Sequence, residues 1–362
     1  MHPADDLIAD ISQRLDSFVA DRRSEASEHG DEALLMVEHA AAALAGGKRL
    51  RARFCAAGWR AVSDRDDSRA ASGALLPAAC ALEIFQAAAL VHDDLVDNAD
   101  TRRGRPSAHR ALEAAHRRAG WAGDAEAFGR SGALLVGDLL VAWSDDLMEE
   151  ALSLSPATAA ATRSEYALMR REVTMGQFLD LAEESAWRTV PDEEHAARAL
   201  RVASLKSARY SVEQPLVIGA ALAGGEPDQR AALGDFGRRL GMAFQLRDDV
   251  LGVFGDAAET GKPAGDDLRE GKRTVLIAWA RESVPAPVRR VFDELLGDPT
   301  LDDGQISLLA DAIRRSGALD RTEEAIASYA RDADRALRGA RLGDAAVTSL
   351  RELARAATQR TS

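Results

Sequence analysis

The chain is poor in several things, and each shortage excludes a class. Aromatic residues make up 5% of 362 residues, with three tyrosines and five tryptophans. No stretch of useful length alternates apolar and polar residues with period two, so no sheet is expected. There are two cysteines, Cys55 and Cys80, both in apolar helical context, so they read as buried thiols in a reducing compartment and not as a disulfide framework. Positive charge is in deficit, 46 Lys and Arg against 59 Asp and Glu, for a net charge of -13. That balance argues against nucleic acid as a partner. It also means that an anionic substrate would need local cations or metal ions. The first ten residues are acidic and lack an apolar run, so no signal peptide is expected. The most apolar stretch, 74–92, contains Pro77, Glu83 and Gln86 and runs into Asp93 and Asp94, which fits a core helix and not a membrane span.

What is abundant is alanine, leucine, arginine and glutamate, a bias toward helix. Apolar spacing predicts helices near 4–27, 31–44, 49–62, 68–98, 107–118, 129–153, 156–185, 192–223, 226–254, 272–282, 286–296, 303–315, 318–337 and 343–358. Glycine and proline clusters at 46–47, 104–106, 120–132, 224–227 and 255–271 punctuate them. The segment 120–129 reads as an exposed loop, and 255–271 as the longest loop of functional character. No composition shift and no repeat of 30–45 residues appears, so the expectation is an all-α fold, a single helical domain over 1–362.

Four residue sets carry chemistry. Asp93, Asp94 and Asp97 close a long apolar helix. Asp93 and Asp97, four apart, share a face, and all three sit near the negative end of the helix dipole. Local energetics disfavour that crowding unless a cation offsets it, and Mg²⁺ commonly bridges one or two carboxylates to substrate phosphates. The plainer reading is a solvated acidic helix end neutralised by Arg102 and Arg103. A second cluster, Asp248 and Asp249 within FQLRDDVLG, repeats the arrangement late in another long helix. Two such helices facing one another would wall an apolar cavity with carboxylates able to hold several Mg²⁺ and a diphosphate. Basic sets accompany them: Lys48, Arg49 and Arg51 on a Gly-Gly turn entering a helix, Arg102 and Arg103 after the first cluster, Lys262 and Lys272 after the second. Neither later set fits a P-loop, since 255–261 and 265–271 are one residue too long and no Ser or Thr directly follows the Lys. Finally, Gln177 and Asp180 lie three apart on one helix, and Lys206-Ser207 interrupts a helix of small and apolar residues. A core-facing Lys206 needs an anion or carbonyl partner.

In order and spacing these sets resemble the trans-isoprenyl diphosphate synthases, or polyprenyl synthetases. The resemblance covers about residues 30–280 and rests on GGKRLR (46–51), LVHDDLVDNADTRRGRPSAH (90–109), GALLVGDLL (132–140), MGQFLD (175–180), LKSA (205–208) and the stretch 241–274. It is closest to bacterial geranylgeranyl diphosphate synthases. The resemblance implies a bundle of the isoprenoid synthase type around a central apolar cavity. It also implies a cytoplasmic homodimer that condenses isopentenyl diphosphate with allylic diphosphates. Asp93, Asp94, Asp97, Asp248 and Asp249 would ligate three Mg²⁺. Arg102, Lys206 and Lys262 would contact the allylic diphosphate, with Ser207 beside them, and Lys272 would either contact it too or close the loop 255–271. Lys48, Arg51, Gln86 and Arg103 would form the isopentenyl site, and Gln177 would lie near the reacting carbons with Asp180 in support.

Departures are visible. Gln86 stands where many members carry His, Ala52 where they carry Pro, Ser207 where they carry Thr, and Gly252 where some carry a third aspartate. Short-chain members place an aromatic floor near Ala88 and Ala89. Here Phe85, eight residues or about 12 Å before Asp93, would stop the tail a turn deeper. By family trend that implies a C20 product, with C15 and C25 as alternatives. A terpene cyclase has no need of an isopentenyl site, and a non-catalytic partner subunit would lack one aspartate cluster. Intact Lys48, Arg51, Arg103 and both clusters argue against these two readings.

Overall fold

A computed structural model describes residues 3–63, 73–255 and 265–358. Among these, helix dominates, and the only strands are Thr101–Arg102 and Arg105–Pro106. The chain divides into two compact units, Met1–Trp59 with Asp64–Thr162, and Arg60–Ser63 with Arg163–Ser362.

In the first unit, α1 (Pro3–Ser27), α2 (Asp31–Leu44), α4 (Leu75–Val96), α5 (Ala108–Ala119) and α6 (Ala125–Leu154) pack around a core, and α3 (Leu50–Val62) begins here. Helix α4 is the centre. Its run of small and branched residues, Ala78, Ala79, Cys80, Ala81, Leu82 and Ile84, is wholly buried, which lets α6 lie close along it. The Ser144 hydroxyl donates to the Ala81 carbonyl at 2.7 Å across that seam. By length and hydropathy α4 could cross a bilayer, yet 72% of its most apolar window is buried inside the protein, as expected of a core helix. Burial pushes both free thiols, Cys55 and Cys80, up to about 12, so they are inert.

The second unit is built on α10 (Pro227–Phe254). It packs against α7 (Ala159–Ala186) indirectly, through a π-helical segment, Ala203–Glu213, that joins α8 (His195–Val202) to α9 (Gln214–Leu222). Helices α11 (Asp266–Glu270), α12 (Val275–Ser283), α13 (Ala286–Leu295), α14 (Asp303–Arg315), α15 (Ala318–Ala336) and α16 (Asp344–Thr358) complete it.

The structure corrects three local expectations. A two-residue ladder pairs Arg102 with Arg105, because Arg103 and Gly104 both adopt positive φ and turn the chain tightly. The expected loop 120–129 is shorter. Asp124 caps α6 by accepting from the amides of Glu126 (2.9 Å) and Ala127 (3.3 Å), so the helix begins at Ala125 despite Gly129. The expected helix 192–223 is broken into a short 3₁₀ turn, α8, the π-helical segment and α9. Residues 68–72, expected to open the helix of the first aspartates, lie outside the described residues, as do Lys262 and most of the loop 255–271.

Candidate active site

In the first unit, most of α4 is buried, but Gln86, Ala89, Leu90, Asp93 and Asp97 are half-buried. Their three- and four-residue spacing makes them one stripe along the helix. The structure therefore separates the three residues assigned to chain length. Ala89 lies on the open stripe. Phe85 is buried at its edge, one turn before Ala89. Ala88 is buried on the far side of the helix.

The acidic end is partly neutralised from within. Arg102, on the first strand, donates to Asp94 from Nε at 2.7 Å and to Asp93 from Nη2 at 3.3 Å. Asp94 is buried, and these carboxylates hold the Arg102 guanidinium above its ordinary value despite its own burial. Arg103 does not share that duty. Its guanidinium lies across the Gly46-Gly47 turn and donates to the Ala45 carbonyl at 2.9 Å. A side chain at Gly47 would run into it, since a Cβ there would stand 2.9 Å from Nη2. Burial and the neighbouring charges of Arg49, Arg102 and Arg51 press Arg103 below its usual value. Cations held this close together fit an anion of high charge, such as a diphosphate. Lys48 is exposed on the same turn and Arg51 is half-buried on the first turn of α3.

Two residues here went unassigned in the sequence. Arg49, with φ of 49°, donates to the Leu44 carbonyl at 3.0 Å and stands 3.7 Å from buried Glu83. Glu83 also accepts from the Ala52 amide at 3.0 Å. Proline, common at position 52 in the family resembled, could not donate that bond. The signal was legible: Glu83 is the one acidic residue in an apolar helix before Asp93.

In the second unit, Lys206 meets Asp180, with Nζ to Oδ2 at 2.5 Å, which supplies the partner expected of an inward-facing lysine. The contact requires close approach of backbones. A Cβ at Gly176 would stand 2.4 Å from the Lys206 nitrogen, and one at Gly241 would stand 2.4 Å from the Ala208 carbonyl oxygen. Glycines on α7 and α10 thus hold the π-helical segment from both sides, and its wider turns set Lys206 beside Asp180. Gln177 and Ser207 are half-buried nearby in sequence.

Asp249 is buried and accepts from Gln245 Nε2 at 2.7 Å. Burial first, and then the charges of Asp267, Asp248 and Asp180, push its carboxyl up to about 8. The nearest arginine in sequence, Arg247, offers no relief, because both its Nη atoms are held by Glu323 at 2.6 and 2.7 Å. Lys272 is paired with Glu270 at 2.5 Å. The donors are hard oxygens with excess negative charge, which suits Mg²⁺. Among the described residues no three acidic, His or Cys side chains already close on one point. Mg²⁺ does not require that, since it keeps waters and shares substrate phosphate oxygens.

The sequence model of the polyprenyl synthetase family matches residues 34–313. The chain belongs to the polyprenyl synthetase family. It is a prenyltransferase of all-α fold. Among its polyprenyl synthetase relatives is the short chain isoprenyl diphosphate synthase of Methanocaldococcus jannaschii, 29% identical over 75% of this chain and 74% of that one. The geranylfarnesyl diphosphate synthase of Aeropyrum pernix is 31% identical over 79% of this chain and 81% of its own. Of solved structures, a geranylgeranyl pyrophosphate synthase from Corynebacterium glutamicum, complexed with isoprenyl diphosphate and magnesium, superposes with a TM-score of 0.90. It is 38% identical, with 97% of each chain covered.

Proposed function

We propose that this prenyltransferase condenses isopentenyl diphosphate head-to-tail with allylic diphosphates to give geranylgeranyl diphosphate, with three Mg²⁺ as cofactor. The observation that carries the reading is that each unit sets aspartates beside cations suited to a diphosphate: Asp93, Asp94 and Arg102 in one, Asp248, Asp249, Asp180 and Lys206 in the other.

Asp93, Asp94, Asp97, Asp248 and Asp249 would hold the ions, which when bound neutralise charge on the leaving diphosphate. Arg102, Lys206, Lys262 and Lys272 bind the allylic diphosphate as its C–O bond breaks and charge passes to oxygen. Lys48, Arg51, Arg103 and Gln86 hold isopentenyl diphosphate so that its double bond attacks the allylic carbon. Gln177 supplies a polar contact beside the reacting carbons, and Ser207 one beside the allylic diphosphate. The new C–C bond forms, a proton leaves the adjacent carbon, and the departing diphosphate takes it. The apolar body of α4 excludes water that would otherwise trap the cation.

The open stripe at Ala89 with Phe85 one turn deeper supports a C20 product. The farnesyl and geranylfarnesyl relatives support C15 and C25 as the alternative readings. A single catalytic domain over 1–362 and a homodimer complete the proposal. Exposed Leu134 and Leu135 on α6 support self-association, and the unpaired thiols support a cytoplasmic setting.

The test is incubation with dimethylallyl and isopentenyl diphosphates, with Mg²⁺ or with a chelator, reading product length by chromatography. Mg²⁺-dependent C20 is expected. Cyclic hydrocarbon from a supplied prenyl diphosphate would mark a cyclase, and no turnover would mark a partner subunit. Phe85→Ala is expected to lengthen the product, and an unchanged length removes the chain-length assignment. Ala89→Phe is expected to shorten it.

A further inference from the structure

Lys272 sits on a short irregular stretch, 272–274, between α11 and α12. No helix or strand aims a side chain there, so its direction depends on what holds the stretch. Before it, Gly271 packs against Gly297, where a Cβ would stand 2.8 Å from the Gly297 Cα. The Lys272 amide donates to the Asp267 carbonyl at 3.0 Å. After it, the Thr274 hydroxyl accepts from the Ile277 amide at 3.4 Å and caps α12. The middle residue, Arg273, is held by its side chain. Its guanidinium stands over the ring of buried Trp187, 4.2 Å from the centroid.

That contact is not one that stability alone would select. Burial pushes Arg273 down to about 10, and its Nε and Nη1 are buried with no hydrogen-bond partner among the described residues. Asp293, the acid that most favours its charge, accepts instead from Arg281 Nε at 2.8 Å and from Trp187 Nε1 at 3.2 Å. Arg281 also lies over the same indole, at 4.9 Å. An apolar side chain of similar length at 273 would bring no donors to satisfy and no second cation beside Arg281. Trp187 follows directly on α7, seven residues or about two turns after Asp180. The contact therefore ties the neighbour of Lys272 to the helix that carries Gln177 and Asp180, the partner of Lys206.

We infer that Trp187 is a positioning residue: by holding Arg273 it aims Lys272 at the diphosphate and fixes its spacing from Asp180 and Lys206. This rests on reading Lys272 as a contact of the allylic diphosphate.

The experiment measures kcat and the KM of each substrate in the full chain, with calorimetric binding of inorganic pyrophosphate and the metal-free melting temperature alongside. Arg273→Met and Trp187→Leu are expected to raise the KM for the allylic diphosphate, and to weaken pyrophosphate binding, on the order of 10-fold. The KM for isopentenyl diphosphate should not move. Arg273→Met should not lower the melting temperature, since it removes unpaired buried donors, and it carries the test if Trp187→Leu fails to fold. Trp187→Phe, which keeps an aromatic face, is expected to recover most of the loss. On a Lys272→Ala background, Arg273→Met and Trp187→Leu should add nothing. An unchanged allylic KM in Arg273→Met, an equal rise in both KM values, or a full effect on top of Lys272→Ala would each overturn the inference. Lys272→Ala alone separates it from the reading beneath it: if that variant binds the allylic diphosphate and pyrophosphate as wild type does, the assignment of Lys272 itself fails.

Discussion

The two aspartate clusters are alike in sequence and opposite in electrostatic state. In the first unit a partly buried arginine is already in place: Arg102 bonds both Asp93 and Asp94. In the second, Lys206 meets Asp180, Arg247 meets Glu323 and Lys272 meets Glu270, while Asp249 is buried and feels the carboxylates of Asp267, Asp248 and Asp180. One cluster is partly neutralised by the fold. In the other, burial and neighbouring carboxylates disfavour the charged form of Asp249, a penalty that an added cation would relieve. A motif of paired aspartates thus specifies where metal can bind, and the surroundings specify how strongly the empty site asks for it.

Several measurements would break or sharpen this contrast. The largest effect is expected from Lys206→Ala. If Lys206 turns from Asp180 to a diphosphate oxygen, its loss should lower kcat by roughly 10²–10³-fold. A wild-type kcat would remove it from the chemistry. Next, neutralising one aspartate in each cluster should shift stability in opposite directions in metal-free protein. Asp94→Asn strips Arg102 of its main partner and should destabilise by about 1–3 kcal/mol in denaturant unfolding, since Arg102 keeps Asp93 and some solvent. Asp249→Asn should stabilise. Changes of the same sign would erase the distinction between the clusters.

The pH dependence follows from the direction of the Asp249 shift. Its folded carboxyl, at about 8, lies above an unfolded value of about 4, so folding favours the protonated form. That contribution is fully present below about pH 4 and lost as pH rises through about 8. Metal-free melting temperature should fall across this window, Asp249→Asn should flatten the fall, and Mg²⁺ uptake below pH 8 should release protons. A flat wild-type profile would count against the buried acid. The smallest effect is expected at Ala52→Pro. Position 52 lies in the first turn of α3, where proline fits. Only the amide bond to Glu83 is lost, about 1 kcal/mol by unfolding.

Much of this molecule was readable along the chain. Helical periodicity located α10, α14 and α15 to within a residue or so, because propensity and apolar spacing agree there. Asp93, Asp97, Asp248 and Asp249 stood out because charge at the end of an apolar helix is locally unfavourable. The start of α6 was missed because Gly129 outweighed the Asp124 cap in a local reading. In the structure that glycine sits where a Cβ would stand 2.4 Å from the His109 carbonyl oxygen, so it serves packing, not a loop.

The identity and spacing of residues by themselves determined an all-α chain, two aspartate-tipped helices and a set of cations in a known family order, because these follow from periodicity and from charges that neighbours in sequence cannot offset. Which cation serves which acid was decided only in three dimensions. Arg102 turns to Asp94 while Arg103, its neighbour, crosses to Ala45; Lys206 reaches Asp180 through a π-helical segment shaped by glycines on two other helices; Asp267 enters the gap at Gly252 from α11. Those pairings depend on where packed helices come so close that no Cβ would fit, and that spacing is set by the core and not by any local stretch of the chain.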